Sequence, residues 1–129
     1  MIFDSDALIW LGRGDARVRD IFEADAVPAL SLITLIELLQ GSRSALELAT
    51  TRSFFRKLDL RLMHITEAIG YRAVALIEKH SPADGLQLGD ALIAATALEH
   101  DETLVTCNVR HFRAIPGLKI KPFRHSGVH

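Results

Sequence analysis

The side chains with chemical capacity in this sequence are carboxylates set among apolar neighbours. Asp4 and Asp6 flank Ser5 directly after Met1-Ile2-Phe3, Glu37 lies inside Leu35-Ile36-Glu37-Leu38-Leu39, and Asp90 opens the run Ala91-Leu92-Ile93-Ala94-Ala95. A charged group among hydrophobic residues must be solvated, paired or bound to a metal. Three carboxylates gathered at one place repel one another unless a divalent cation lies between them, and such hard cations take oxygen ligands. Each acid also has a plainer reading. Asp4 can cap the following helix, and Asp6 and Asp90 suit the positive end of a helix dipole. Glu37, three residues after Thr34, fits a capping box. Convergence of Asp4, Glu37 and Asp90 on one spot is what a metal site requires and what independent caps do not.

The elements that must position these acids follow from periodicity. The opening residues read as a short buried strand ending at Asp4, followed by a helix from Asp6 to Leu11 with Ser5 as N-cap, closed at Gly12-Arg13-Gly14. Asp15 opens a helix to about Glu23. Ala26 to Leu30 reads as a strand, Ser31 to Gln40 as a helix with Glu37 in its first turns, and residues 44 to 58 as an amphipathic helix with Leu46, Leu48, Phe54, Phe55 and Leu58 on its apolar face. Leu60 to Ile65 alternates as a strand does, and Thr66 caps a helix to about Lys79. A loop is expected over His80 to Gly85, a helix over Leu88 to His100, and strands over Thr103 to Cys107 and Leu118 to Pro122. Strands separated by helical runs imply right-handed crossovers. The fold class expected is α/β, a three-layer α/β/α sandwich with a mainly parallel sheet. An acid at the end of its first strand then faces the crevice where such sheets bind ligands.

The totals exclude several classes. With 129 residues the chain reads as a single domain over 1–129, and 49% hydrophobic with 24% charged residues is ordinary globular material. No signal peptide or membrane span is legible, so a cytoplasmic protein is expected. One cysteine, Cys107, and six scattered histidines argue against an internal disulfide and a zinc site. All sixteen acids lie at or before Glu102, and residues 103 to 129 carry five bases, an asymmetry that could meet phosphate or merely protect a terminal edge strand.

The stretches MIFDSDALIWLG, SLITLIELLQG, LGDALIAATAL and TLVTCNVRHFRAIPGLKI closely resemble, in order and in size, the PIN-domain nucleases, and within them the VapC-type toxins of toxin-antitoxin pairs. The resemblance implies an endoribonuclease that hydrolyses RNA with Mg²⁺ or Mn²⁺ held by Asp4, Glu37 and Asp90. The family's fourth acidic position falls on Asn108, an amide that can ligate through oxygen but brings no charge. Ser5 and Thr106 match small hydroxyl positions beside the acids, and Asp6 is a supporting acid. Arg43, Arg110 and Arg113 are candidates for holding the RNA backbone, and His111 is read as a surface or phosphate-contact residue. The resemblance also implies a cognate antitoxin and a homodimer, for which residues 31 to 40 and 44 to 58 offer apolar faces. Two rivals stand beside it: a PIN-like module that binds RNA or a partner without cutting, and a phosphatase of the haloacid-dehalogenase type using Asp4 and Asp6.

Overall fold

The computed structural model describes residues 1–125. Its elements are β1 (Ile2–Phe3), α1 (Ser5–Gly12), α2 (Ala16–Ala24), β2 (Ala29–Ser31), α3 (Leu32–Gln40), α4 (Ala45–Leu58), β3 (Arg61–Met63), α5 (Glu67–Asp84), α6 (Leu88–Glu99), β4 (Leu104–Thr106), α7 (Val109–Phe112) and β5 (Ile120–Pro122). The strands form one sheet in the order β3-β2-β1-β4-β5, and every pairing is parallel. The parallel sandwich expected from the alternation of strands and helices is therefore present. From β1 the chain builds outward through β2 and β3, then crosses back to place β4 on the other side of β1. The crevice beyond the carboxyl ends of β1 and β4 is thus a topological switch point.

Alternation along the strands divides the core between the two faces of the sheet. Ile2, Ala29 and Leu104 pack with Ile69, Ala73 and Leu76 of α5 and the apolar side of α6. Phe3, Leu30 and Val105 pack on the other side with Ala7 and Leu8 of α1 and Val18 of α2. Helix α6 is so rich in alanine because it lies close: Ala91, Ala94, Ala95 and Ala97 are each at most 1% exposed, and larger side chains would hold it off the sheet.

Several boundaries differ from the sequence-based expectation. Asp4, not Ser5, caps α1, accepting a hydrogen bond from the Ser5 backbone N–H at 2.7 Å. The expected loop over His80 to Gly85 is instead the last turn of α5, which runs through Pro82 to Asp84. The turn is held by an His80–Asp84 contact of 2.9 Å and closes at Gly85, whose φ of 71° a residue without Cβ adopts freely. Strand β2 begins at Ala29 rather than Ala26, since Val27 is 54% exposed and Pro28 has no N–H to offer a ladder. Helix α7, unexpected from periodicity, buries Phe112 completely. In α4 no residue is fully buried, and Leu46, expected on its apolar face, is 77% exposed.

Candidate active site

The site begins with register. Ile2 pairs with Leu104 and Phe3 with Val105, so the next residues, Asp4 and Thr106, arrive side by side where the sheet ends. The Thr106 hydroxyl lies 2.9 Å from Asp4 Oδ2 and 3.1 Å from Asp6 Oδ2. It also accepts the Asn108 backbone N–H at 3.0 Å. Asp6 accepts the Cys107 backbone N–H at 3.2 Å and the Cys107 thiol at 3.0 Å, which ties the start of α1 to the end of β4. Burial, with the Asp6 hydrogen bond and charge, pushes that thiol up to about 12, so it stays protonated and donates.

Glu37 enters from α3. The sequence-based capping box with Thr34 does not form, because Ser31 caps the helix through the Ile33 backbone N–H at 3.2 Å, and Thr34 is buried within the first turn. Glu37 lies in the second turn of α3, as expected, but past the third position that a capping box needs, and it is not enclosed by its leucine neighbours. It is exposed on the pocket side, where the Ser5 hydroxyl stands 3.4 Å from its Oε1. On its other flank is Gly89, where a Cβ would come within 2.8 Å of Glu37 Oε2. The glycine leaves the space that the carboxylate occupies.

Asp90 is the acid in the first turn of α6. Its Oδ2 stands 3.5 Å from the Gln87 backbone N and 3.4 Å from His111 Nδ1. Asp4, Ser5, Asp6, Glu37, Asp90 and Asn108 all border one pocket of about 370 Å³, with Gln87, Gly89 and His111 completing its polar wall. Thr106 stands behind Asp4, fully buried. Arg43, Arg110 and Arg113 are exposed and do not border this pocket. The structure adds Arg13, read from sequence only as part of a turn. It lines an adjoining groove together with Ile9 and Glu37, its guanidinium 4.9 Å from the centre of the Trp10 ring. His111 and Gln87 were equally invisible as wall residues, although His111 lies one helical turn beyond Asn108.

The electrostatics follow from this crowding. Burial raises Asp4 to about 7, the charges of Asp6 and Asp90 push the same way, and hydrogen bonds from Ser5 and Thr106 oppose them. Glu37 is raised by burial and by Asp90, against the Ser5 hydrogen bond. Asp90 is therefore close enough to both Asp4 and Glu37 for its charge to oppose their ionisation. Among the described residues, no three acidic, imidazole or thiol groups close into a ligand shell on their own. The carboxylates line the wall of the pocket instead. A wall carrying several carboxylates has the donor chemistry that a hard divalent cation takes.

Residues 1–118 match the family model described as PIN domain. The chain belongs to the PIN-domain family. Among PIN-domain relatives, Ribonuclease VapC10 of Mycobacterium tuberculosis is 36% identical over 132 aligned residues, covering 98% of this chain and 96% of that protein. A chain of a toxin-antitoxin complex from Klebsiella pneumoniae is 32% identical and superimposes with a TM-score of 0.77 over 95% of this chain and 98% of that one. The DNA-bound VapBC of Salmonella typhimurium contains a chain with the same PIN fold, at a TM-score of 0.80 over 94% of this chain and 96% of that one, with 20% identity. Membership removes the basis for the phosphatase reading. Asp6, which that chemistry would need free, is instead bound to Thr106 and Cys107. Among the described residues no helix is long and apolar enough to cross a membrane.

Proposed function

We propose that this PIN-domain chain is the toxin of a toxin-antitoxin pair, a metal-dependent endoribonuclease in which Asp4, Glu37 and Asp90 hold Mg²⁺ or Mn²⁺. The observation that carries the reading is the meeting of those three acids, from the end of β1, the middle of α3 and the first turn of α6, on one pocket at the topological switch point. The similarity to Ribonuclease VapC10 over almost the whole of both chains supports the substrate class.

A divalent cation bound there would supply an acidified water and neutralise a nonbridging phosphate oxygen, the two obstacles to phosphodiester hydrolysis. The protein's own groups do the rest. Asp4, held by Thr106 and the Ser5 backbone, is the rigid ligand. Glu37 is the most exposed of the three, and its raised proton affinity suits it to take the proton from the attacking water. The bond broken is that between phosphorus and the 3′ oxygen, leaving 5′-phosphate and 3′-hydroxyl ends. Asn108 borders the pocket at the fourth position and can hold a water through its amide without adding charge. Arg13 in the adjoining groove, with Arg43, Arg110 and Arg113 further out, supplies positive charge for the RNA backbone.

The Klebsiella complex supports a cognate antitoxin as partner. A groove between α1, α3 and α4, lined by Leu8, Ile9, Leu38, Phe54 and Phe55, offers an apolar seat for it. Exposed Ile36 and Leu46 on α3 and α4 suit a homodimer seam.

The test is cleavage of cellular RNA by purified wild type and Asp90→Asn, freed of antitoxin, with Mg²⁺, Mn²⁺ or EDTA. Cutting that requires metal and is lost in the variant supports the reading. Folded wild type that binds RNA but cuts none of it under either metal favours the silent module, the reading to which the uncharged Asn108 gives most weight.

A further inference from the structure

We infer that His111 is a positioning residue for the metal site, holding Asp90 so that one chosen oxygen faces the cation. This rests on the proposed function above and extends it to a residue outside the acid set.

Among the described residues two polar contacts reach the Asp90 carboxylate, the Gln87 backbone N at 3.5 Å and His111 Nδ1 at 3.4 Å, and both fall on Oδ2. Oδ1 receives neither. Both distances lie at the long end for hydrogen bonds, so together they favour, without locking, one orientation of the carboxylate in which its second oxygen is turned away from these two groups. That oxygen belongs to a side chain bordering the same pocket as Asp4 and Glu37. The Gln87 contact is a common device at the start of a helix and comes from α6 itself. The His111 contact does not: it crosses from α7, beyond β4, and its ring lies within the pocket wall. Outer groups that orient a ligand in this way commonly change metal affinity ten- to a hundredfold when removed.

The role belongs to one edge of the ring. Asparagine in place of histidine puts a carboxamide N–H close to the position of Nδ1, whereas glutamine puts it near Nε2. The experiment is titration of the full-length, antitoxin-free protein with Mn²⁺, followed by electron paramagnetic resonance, for wild type, His111→Ala, His111→Asn, His111→Gln and Asp90→Asn. His111→Ala is expected to weaken Mn²⁺ binding about tenfold or more. His111→Asn should recover most of that loss, and His111→Gln should not. RNA cleavage should show the same order in the metal concentration for half-maximal rate, with kcat at saturating metal close to wild type for the Asn variant. Mn²⁺ binding by His111→Ala equal to wild type, or equal rescue by Asn and Gln, overturns the inference while leaving the metal site standing. Wild type that takes up no Mn²⁺, or an Asp90→Asn variant that binds as tightly as wild type, overturns the metal site itself and this inference with it.

Discussion

The Thr106 hydroxyl lies 2.9 Å from Asp4 Oδ2, across the junction between the first strand in the sequence and the fourth. One hydroxyl proton serves two carboxylates there, since Asp6 Oδ2 stands 3.1 Å from the same oxygen. The hydroxyl also accepts from the Asn108 backbone, so it sets the direction in which the chain leaves β4. A substitution at Thr106 therefore reaches both the acid and the loop that carries the fourth position.

Thr106→Val keeps the shape and removes the hydroxyl. It takes the Thr106 partner from Asp4 Oδ2 and the acceptor from the Asn108 N–H, while Asp4 Oδ1 keeps the Ser5 N–H, at a cost of about 1–3 kcal/mol in folding stability. Urea denaturation at neutral pH, with metal chelated, measures it. Loss of the hydrogen bond that opposes burial should also raise the Asp4 pKa further above its wild-type value of about 7.

Asp4 makes the metal-free protein less stable as pH rises. Its folded-state pKa, raised from 3.8 to about 7, means that the native state holds a proton which the unfolded chain has released throughout that interval. Unfolding free energy should then fall with pH from about 4 to about 7, by up to about 1.4 kcal/mol per pH unit from this group alone. Raised Glu37 adds a contribution of the same sign. In EDTA, urea melts of wild type across this range should show the decline, and Asp4→Asn should flatten it. A wild-type stability that climbs through the interval would count against the burial of an ionisable Asp4.

Gly89 separates activity from stability. A Cβ there would stand 2.8 Å from Glu37 Oε2, and because Glu37 is long and exposed it can swing aside. Gly89→Ala should therefore fold, gaining up to about 1 kcal/mol of helix propensity. It should also lose at least about tenfold in RNA cleavage, since an ångström of misplacement at a catalytic group costs a hundredfold in unfavourable cases. Thermal melting and cleavage rates on the same preparation give both halves. A variant as active as wild type would place Glu37 outside the reaction.

The parallel sheet, its helices and the acids were legible in the sequence because they depend on local patterns. Asp4 ends an apolar strand, and Asp90 begins a helix whose alanines must pack closely. What was not legible depends on contacts between distant segments. The capping box stayed open as a plainer reading of Glu37 because its partner, Ser5, is 32 positions away. His111 read as a surface or phosphate-contact residue because nothing local shows that α7 brings it to Asp90. Arg13 read as part of a turn because its groove exists only once α1 and α4 are packed. The last turn of α5 was missed for the opposite reason: Pro82 gives a strong local signal to stop, and the His80–Asp84 contact and the Gly85 cap outweigh it.

Asn108→Asp tests what the fourth position contributes. The amide borders a wall already carrying Asp4, Asp6, Glu37 and Asp90, so a fifth carboxylate facing that pocket adds repulsion, above all to Asp4 and Glu37, whose ionisation burial and the Asp90 charge already oppose. In EDTA the variant should melt below wild type. With Mn²⁺ the same charge attracts the cation, and the stabilisation that binding confers grows with the logarithm of affinity. The gap in melting temperature between EDTA and saturating Mn²⁺ should therefore be wider in Asn108→Asp than in wild type, and the metal concentration for half-maximal cleavage should be lower. An equal gap in the two proteins would show that a carboxylate at position 108 faces away from the cation, and that the amide does as well.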